Sequence, residues 1–121
     1  MTSISVKEPL SYLALSNTIR SAVTTWAKTL ANEIGSHNVT VNNILTGFFN
    51  TERINELNSE KAKKLNIKIG EVFSAMENLV PLKRIGDPKE FAYLVTFLAS
   101  EKASYINGTN IPIDGGLLKS L

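Results

Sequence analysis

Apolar residues recur at steps of three and four between Ser16 and Gly35, and this spacing predicts one long amphipathic helix. Ser16 is suited to be its N-cap and Gly35 to be its terminator. We expect the apolar stripe to pack in a core or at a subunit interface rather than against a ligand. The stripe consists of Ile19, Ala22, Val23, Trp26, Ala27, Leu30, Ala31 and Ile34.

Strand-like patterns lie on both sides of this helix. Residues 2–6 alternate between apolar and polar, and they predict the end of a strand that runs into a loop. Residues 39–45 are rich in β-branched side chains and predict a buried parallel strand. Asn110–Ile113 predicts a short last strand, which ends at Asp114-Gly115-Gly116.

The chain between the last two strands permits helices. Short helices are expected over residues 52–65 and 69–79, within a helical insertion of about residues 52–80. A further helix begins at Asp87-Pro88-Lys89-Glu90, where aspartate is an N-cap, proline suits the first helical position and glutamate completes a capping box. The apolar stripe of that helix is Phe91, Leu94, Val95 and Leu98.

Strands that alternate with helices indicate the α/β class, with right-handed crossovers and a parallel sheet of about three strands. A parallel sheet needs both faces covered and its edges protected, whereas the first strand predicted here would carry an unpaired edge. We therefore expect residues 1–121 to form a single partial domain that belongs to a larger sheet.

Composition narrows the range of functions. The 121 residues are 43% hydrophobic and 20% charged, with a net charge of +2, which gives no electrostatic reason to expect nucleic acid or a membrane surface as partner. The absence of cysteine excludes disulfides, thiolate metal sites and a cysteine nucleophile, and it fits a cytoplasmic protein. No metal site is predicted, and no signal peptide or membrane span is expected.

Four stretches, taken in order along the chain, resemble the short-chain dehydrogenases/reductases. Residues 39–51 (VTVNNILTGFFNT) resemble the family's sixth strand and cofactor loop, with an asparagine in the strand, then a glycine and a threonine four residues later. Residues 80–90 (VPLKRIGDPKE) and 97–100 (FLAS) are similar to the loop beside the substrate and its following helix. Residues 105–109 (YINGT) and 113–116 (IDGG) resemble the last strand. The resemblance is closest to the 3-oxoacyl-carrier-protein reductases.

This resemblance implies the C-terminal part of a Rossmann-type doubly wound parallel sheet, the last three of its seven strands. It implies NAD(P) as cofactor and places Thr46, Gly47, Phe49 and Thr51 in the cofactor loop. A glycine and a hydroxyl just past a parallel strand also lie where open α/β sheets bind ligands. No glycine-rich turn for the pyrophosphate occurs in this sequence, so weak or no NAD(P) binding is expected for the chain alone.

The resemblance also assigns catalytic positions. The family uses a tyrosine as proton donor, a lysine four residues later and a serine thirteen residues before the tyrosine. Aligned on residues 29–33, these positions hold Ser16, Arg20 and Ser3. Serine is a far weaker acid than a phenol, and arginine keeps the charge without shuttling a proton. Tyr12 would supply a phenol only if the loop before the helix were repositioned. The alternatives are a plain N-cap for Ser16 and a solvated or interface role for Arg20.

Two classes of function follow. The first is an NAD(P)-dependent oxidoreductase acting on a ketone or secondary alcohol as a small-molecule substrate, inactive as an isolated chain. The second is a non-catalytic fragment or self-association module. The expected partners are further copies of the chain, as a homo-oligomer, or a complementary N-terminal fragment.

Overall fold

The computed structural model describes residues 1–120 and confirms an α/β fold with three parallel strands flanked by helices. Single turns of 3-10 helix follow the first strand, the first helix and the last helix, at Ile4–Val6, Gly35–His37 and Glu101–Ala103. The other elements are, in chain order, β1 (Thr2–Ser3), α1 (Ala14–Ile34), β2 (Asn43–Thr46), α2 (Glu52–Leu65), α3 (Ile69–Leu79), α4 (Pro88–Leu98) and β3 (Asn110–Ile113).

The sheet has the order β1-β2-β3, and every pairing in it is parallel. Ser3 lies opposite Thr46, and Thr46 lies opposite Ile113, so the carboxyl ends of the three strands meet at one edge. Leu45, in the central strand, is completely buried. The other buried apolar residues near the sheet are Ile4, Ala27, Ala31, Ile44 and Ala103.

The apolar stripe predicted for helix α1 is buried in its second half and exposed in its first half. Its buried residues are Ala27 and Ala31, whereas Ile19, Val23 and Trp26 are 54%, 41% and 61% exposed. A core position is therefore wrong for the first half of the stripe, because no element of the described chain packs over that side of the helix. An interface position for Trp26 stays a prediction.

The start of α1 differs from expectation, whereas its end agrees with it. The helix begins at Ala14 with Leu13 as its N-cap, so Ser16 lies inside the first turn and is not the cap. Its hydroxyl instead accepts a hydrogen bond from Arg20. The predicted end at Gly35 is confirmed, because α1 ends at Ile34 with Gly35 as its C-cap residue, although the Gly35 backbone remains right-handed and continues into the 3-10 turn. The left-handed residue that ends this segment is Asn38, at φ 58°.

Strand β2 is shorter than predicted and begins four residues later, at Asn43. The residues before it bond to the loop ahead of β3 instead of to a strand: the Val41 backbone N–H donates to Asn107 Oδ1 at 2.9 Å, and the Asn42 side-chain amide donates to the Ile106 carbonyl at 2.8 Å. The predicted bounds of α2, α3 and β3 are confirmed, as is the α4 capping box. No helix in residues 1–120 combines the length and apolarity needed to cross a bilayer.

Candidate cofactor and catalytic site

The carboxyl edge of the sheet brings two predicted site residues side by side. Ser3 and Thr46 are paired in register, and the Thr46 hydroxyl donates to the Thr2 carbonyl at 3.1 Å. The Ser3 hydroxyl accepts from the Ser5 backbone N–H at 3.2 Å, which leaves the Ser3 O–H available as a donor. Both side chains thus help to shape this edge through bonds to backbone groups.

Gly47 lies where the loops after β2 and β3 touch. Its N–H donates to the Ile113 carbonyl at 3.0 Å, and a Cβ at position 47 would stand 2.7 Å from the Asp114 Cα. Asp114 in turn accepts bonds from the N–H groups of Gly116 and Leu118, at 3.0 and 2.8 Å. Only glycine fits this contact. The role of Asp114 was missed from the sequence, although its place just after β3 indicates the same sheet edge.

The other two predicted cofactor residues have structural partners. The Phe49 ring packs edge to face on Phe91, with centroids 6.1 Å apart, and lines a small cavity of about 140 Å³. The Thr51 hydroxyl caps α2 by accepting from the Ile54 N–H at 3.4 Å. Thr51 therefore fixes the N-terminus of α2, the positive end of the helix dipole, four residues after Gly47.

Ser16 and Arg20 lie together on α1, one turn apart, where Arg20 Nε donates to Ser16 Oγ at 3.2 Å. Both line an open groove of about 430 Å³ between α1 and β1. Thr2 borders the same groove, and its buried hydroxyl has no hydrogen-bond partner in the described residues. Thr2 was not predicted as a site residue, and no sequence signal distinguishes it. Tyr12 is fully exposed before the helix, at φ 65°.

These residues fit one part of a dinucleotide and not the whole of it. The close approach at Gly47, the hydroxyl at Thr46 and the capped start of α2 suit a ligand that enters at the carboxyl edge. A pyrophosphate needs a glycine-rich turn at a helix N-terminus, and residues 1–120 contain none. The described residues also contain no cluster of three or more side chains that could hold a metal ion.

Two carboxylates near the loops have lowered pKa values. The hydrogen bonds from Arg84, at 2.7 and 2.6 Å, lower the pKa of Glu90 to about 2, and the Asp87 backbone N–H adds to this effect. The backbone N–H groups of Lys119 and Ser120 both bind one Glu8 oxygen and lower the pKa of that carboxyl. Glu8 thereby holds the C-terminal residues against the loop that leads into α1.

Comparison with known proteins identifies the family. A family model described as enoyl-(acyl carrier protein) reductase matches residues 1–118. The chain belongs to the short-chain dehydrogenase/reductase family and corresponds to the C-terminal half of its subunits.

Individual relatives agree with this assignment. The chain is 35% identical over 115 residues to the NADPH-dependent reductase BacG of Bacillus subtilis, covering 95% of this chain and 44% of BacG. It is 36% identical over 98 residues to the 3-oxoacyl-[acyl-carrier-protein] reductase FabG of Vibrio cholerae, covering 81% and 36%. L-sorbose reductase from Gluconobacter frateurii, solved with NADPH and L-sorbose, matches with a TM-score of 0.93 at 32% identity, over 99% of this chain and 46% of that one. The chain thus spans less than half the length of these relatives.

Proposed function

We propose that this chain carries the cofactor loop and catalytic helix of an NAD(P)-dependent oxidoreductase that interconverts ketones and secondary alcohols. The observation that carries the proposal is the carboxyl edge of the sheet, where Ser3 and Thr46 are paired and Gly47 packs on Asp114. Open α/β sheets bind ligands at this edge. The names of BacG, an NADPH-dependent reductase, and FabG, a 3-oxoacyl reductase, support the cofactor and the substrate class.

Each predicted residue has a role in this proposal. When bound, a reduced nicotinamide supplies a hydride. Gly47 allows the ligand to approach the backbone, while Thr46, Phe49 and Thr51 shape the loop around it. The free Ser3 O–H donates to the substrate carbonyl. Arg20 and Ser16 face the groove from α1, and Arg20 binds ribose or phosphate oxygens.

We propose that the isolated chain is inactive and needs a partner. Its residues hold one end of a dinucleotide, and the pyrophosphate must be bound by another segment. A complementary segment that adds a strand beside β1 would supply that cradle. The partner preferred here is therefore the first half of a related subunit.

The test is to mix or fuse this chain with the part of Bacillus subtilis BacG that precedes the matched region, and to follow nicotinamide fluorescence. We expect the lone chain to bind NADPH with a Kd above about 1 mM, and the assembled protein to bind at least about tenfold more tightly. Gly47→Val should remove the gain, whereas Gly70→Ala, in α3, should preserve it. Micromolar binding by the lone chain, or none by a folded assembly, would refute the proposal.

A self-association module is the second candidate. The exposed apolar side of α1, with Leu15, Ile19 and Trp26, favours it. The two candidates differ in one observable: a module self-associates whether or not the first half of BacG is present. If the chain is instead the catalytic half of an enzyme, its self-association is replaced by binding to the first half of BacG.

A further inference from the structure

The turn between α2 and α3 exposes aliphatic side chains that the packing of the two helices does not use. The helices contact each other and are joined by only three residues, 66–68, so they form a helical hairpin. Ala62 and Val72 are buried within it. Three aliphatic residues beside the turn remain exposed instead, namely Leu65, Ile67 and Ile69, at 56%, 41% and 43%. These side chains are available to a surface outside the described chain.

The same segment carries a concentrated positive charge. We call residues 61–70 the α2–α3 tip, and it contains four lysines and no acidic residue. All four lysines are exposed, and none has its ammonium nitrogen within 4.0 Å of a carboxylate in residues 1–120. They are Lys61, Lys63, Lys64 and Lys68. The net charge of the whole chain is only +2, so the rest of the chain is net negative and conceals the charge of the tip.

An anionic lipid surface matches both features of the tip. Aliphatic side chains enter the boundary between headgroups and acyl chains, while lysine stems lie along apolar material and their ammonium groups reach the headgroup phosphates. Protein interfaces differ, because they are enriched in tryptophan, tyrosine and arginine and depleted of lysine. The tip has four lysines and none of those three residue types. Its composition therefore favours lipid over an acidic protein.

We infer that the α2–α3 tip docks on an anionic lipid surface. Leu65, Ile67 and Ile69 enter the headgroup boundary, and the lysines around them bind the anionic headgroups. The contact is confined to the membrane surface. It does not depend on the proposed function, because the 14 residues of α2 place the tip roughly 20 Å along the helix from Thr51 in the cofactor loop.

The first test measures sedimentation of the 121-residue chain with lipid vesicles. We expect vesicles of phosphatidylcholine and phosphatidylserine in equal parts to bind it at least about tenfold more tightly than phosphatidylcholine alone. High salt should remove most of this preference. Lys63→Gln combined with Lys64→Gln should weaken binding by about fivefold per lysine. The matched control, Lys89→Gln combined with Lys102→Gln, changes the charge equally outside the tip and should preserve binding.

The second test asks which part of the chain enters the lipid. The chain has one tryptophan, Trp26 in α1, so Trp26→Phe gives a silent background. In that background Ile67→Trp should shift its emission to the blue on the anionic vesicles and be quenched by brominated lipid. Leu79→Trp is the matched control, because Leu79 is exposed at the other end of α3, and it should not respond. Trp26 in the parent chain should not be quenched either.

Several outcomes would overturn the inference. Equal binding to the two kinds of vesicle would do so, as would binding that the paired tip substitutions leave unchanged, or quenching at position 26 or 79 instead of 67. If Ile67→Trp fails to fold by circular dichroism, the paired lysine substitutions decide alone.

Two further measurements separate lipid from the competing occupants. A labelled helical peptide of leucine and glutamate represents an acidic protein, and its binding to the tip at a salt concentration that releases the vesicles would assign the tip to such a protein. The chain assembled with the part of BacG that precedes the matched region should still bind the anionic vesicles. Loss of vesicle binding in that assembly would mean that the first half covers the tip, and the inference would be wrong.

Discussion

Gly47 is the residue at which the loops after β2 and β3 meet, and a side chain there would collide with backbone. A Cβ would lie 2.7 Å from the Asp114 Cα, so Gly47→Ala should destabilise the chain by about 1–3 kcal/mol in urea unfolding. Gly70→Ala is the matched control, because nothing lies within 4 Å of a Cβ at that helical position. It should stabilise by about 0.5–1 kcal/mol. Equal effects of the two substitutions would contradict the packing argument.

The resemblance to the family predicts that Ser16 occupies the family's proton-donor position, without a phenol. In the assembled protein we therefore expect ketone reduction to be slower by about 10²- to 10⁴-fold than in relatives with tyrosine there. Ser16→Tyr should recover part of that deficit, measured as kcat for an acetoacetyl thioester. Tyr12→Phe should have no effect, since Tyr12 is fully exposed before α1. Loss of ketone reduction in Tyr12→Phe would show that Tyr12 is the donor.

The candidate site was only partly predictable at the residue scale. Spacing along the chain places Ser3 and Thr46 at one sheet edge, because parallel strands in register end together. The uses of their hydroxyls were not predictable. The Thr46 hydroxyl binds the carbonyl of Thr2, 44 positions earlier, and the hydroxyl of Thr51 serves as a helix cap. The Thr46 bond depends on which segments meet in space, which spacing alone does not show, whereas the Thr51 cap spans only three residues.

Elements were predictable where their signals are local. The capping box of α4 involves Asp87 and Glu90, three residues apart, and its prediction is confirmed. The predicted start of β2 was wrong because the residues before it bond to groups more than sixty positions away, the Ile106 carbonyl and the Asn107 side chain. The exposure of the first half of the α1 stripe was not predictable for a similar reason. Periodicity defines an apolar stripe, but it does not say which neighbour covers it.

The cap of α4 makes the stability of that helix depend on pH. The pKa of Glu90 falls from an ordinary value of 4.5 to about 2, chiefly through the hydrogen bond from Arg84. A lowered folded-state pKa contributes stability above the unfolded value, and that contribution is lost as the pH falls towards about 2.

Thermal unfolding between pH 6 and pH 2 checks this dependence. Because the Arg84–Glu90 ion pair is exposed, with side chains 51% and 37% accessible, salt should weaken the effect. Glu90→Gln and Arg84→Gln should both flatten the decline of Tm between about pH 4.5 and 2. A decline as steep in both variants as in the parent chain would mean that other carboxylates dominate.

At the scale of the molecule, the two edges of the sheet are not equivalent. The carbonyls of Thr109 and Ile113 accept bonds from the N–H groups of Asn43 in β2 and of Gly47 just after it, so alternate residues of β3 face that strand and Pro112 faces away. Proline has no N–H to donate, which protects the outer edge of β3 against further pairing. The outer edge of β1 has no such protection in the described chain, and it lies beside the apolar side of α1.

The unprotected edge and the apolar side of α1 together predict that the chain does not remain a monomer in solution. Light scattering should report a dimer or larger species, because burial of Ile19, Val23 and Trp26 removes apolar surface from water. Trp26→Asp should shift the population towards monomer. Tyr105→Asp, which removes a fully exposed aromatic from outside α1, should leave the assembly unchanged. Dissociation by Tyr105→Asp and not by Trp26→Asp would place the interface elsewhere. A stable monomer with cooperative unfolding would mean that a sheet of three short strands is stable without a partner. The prediction that the chain needs one would then be wrong.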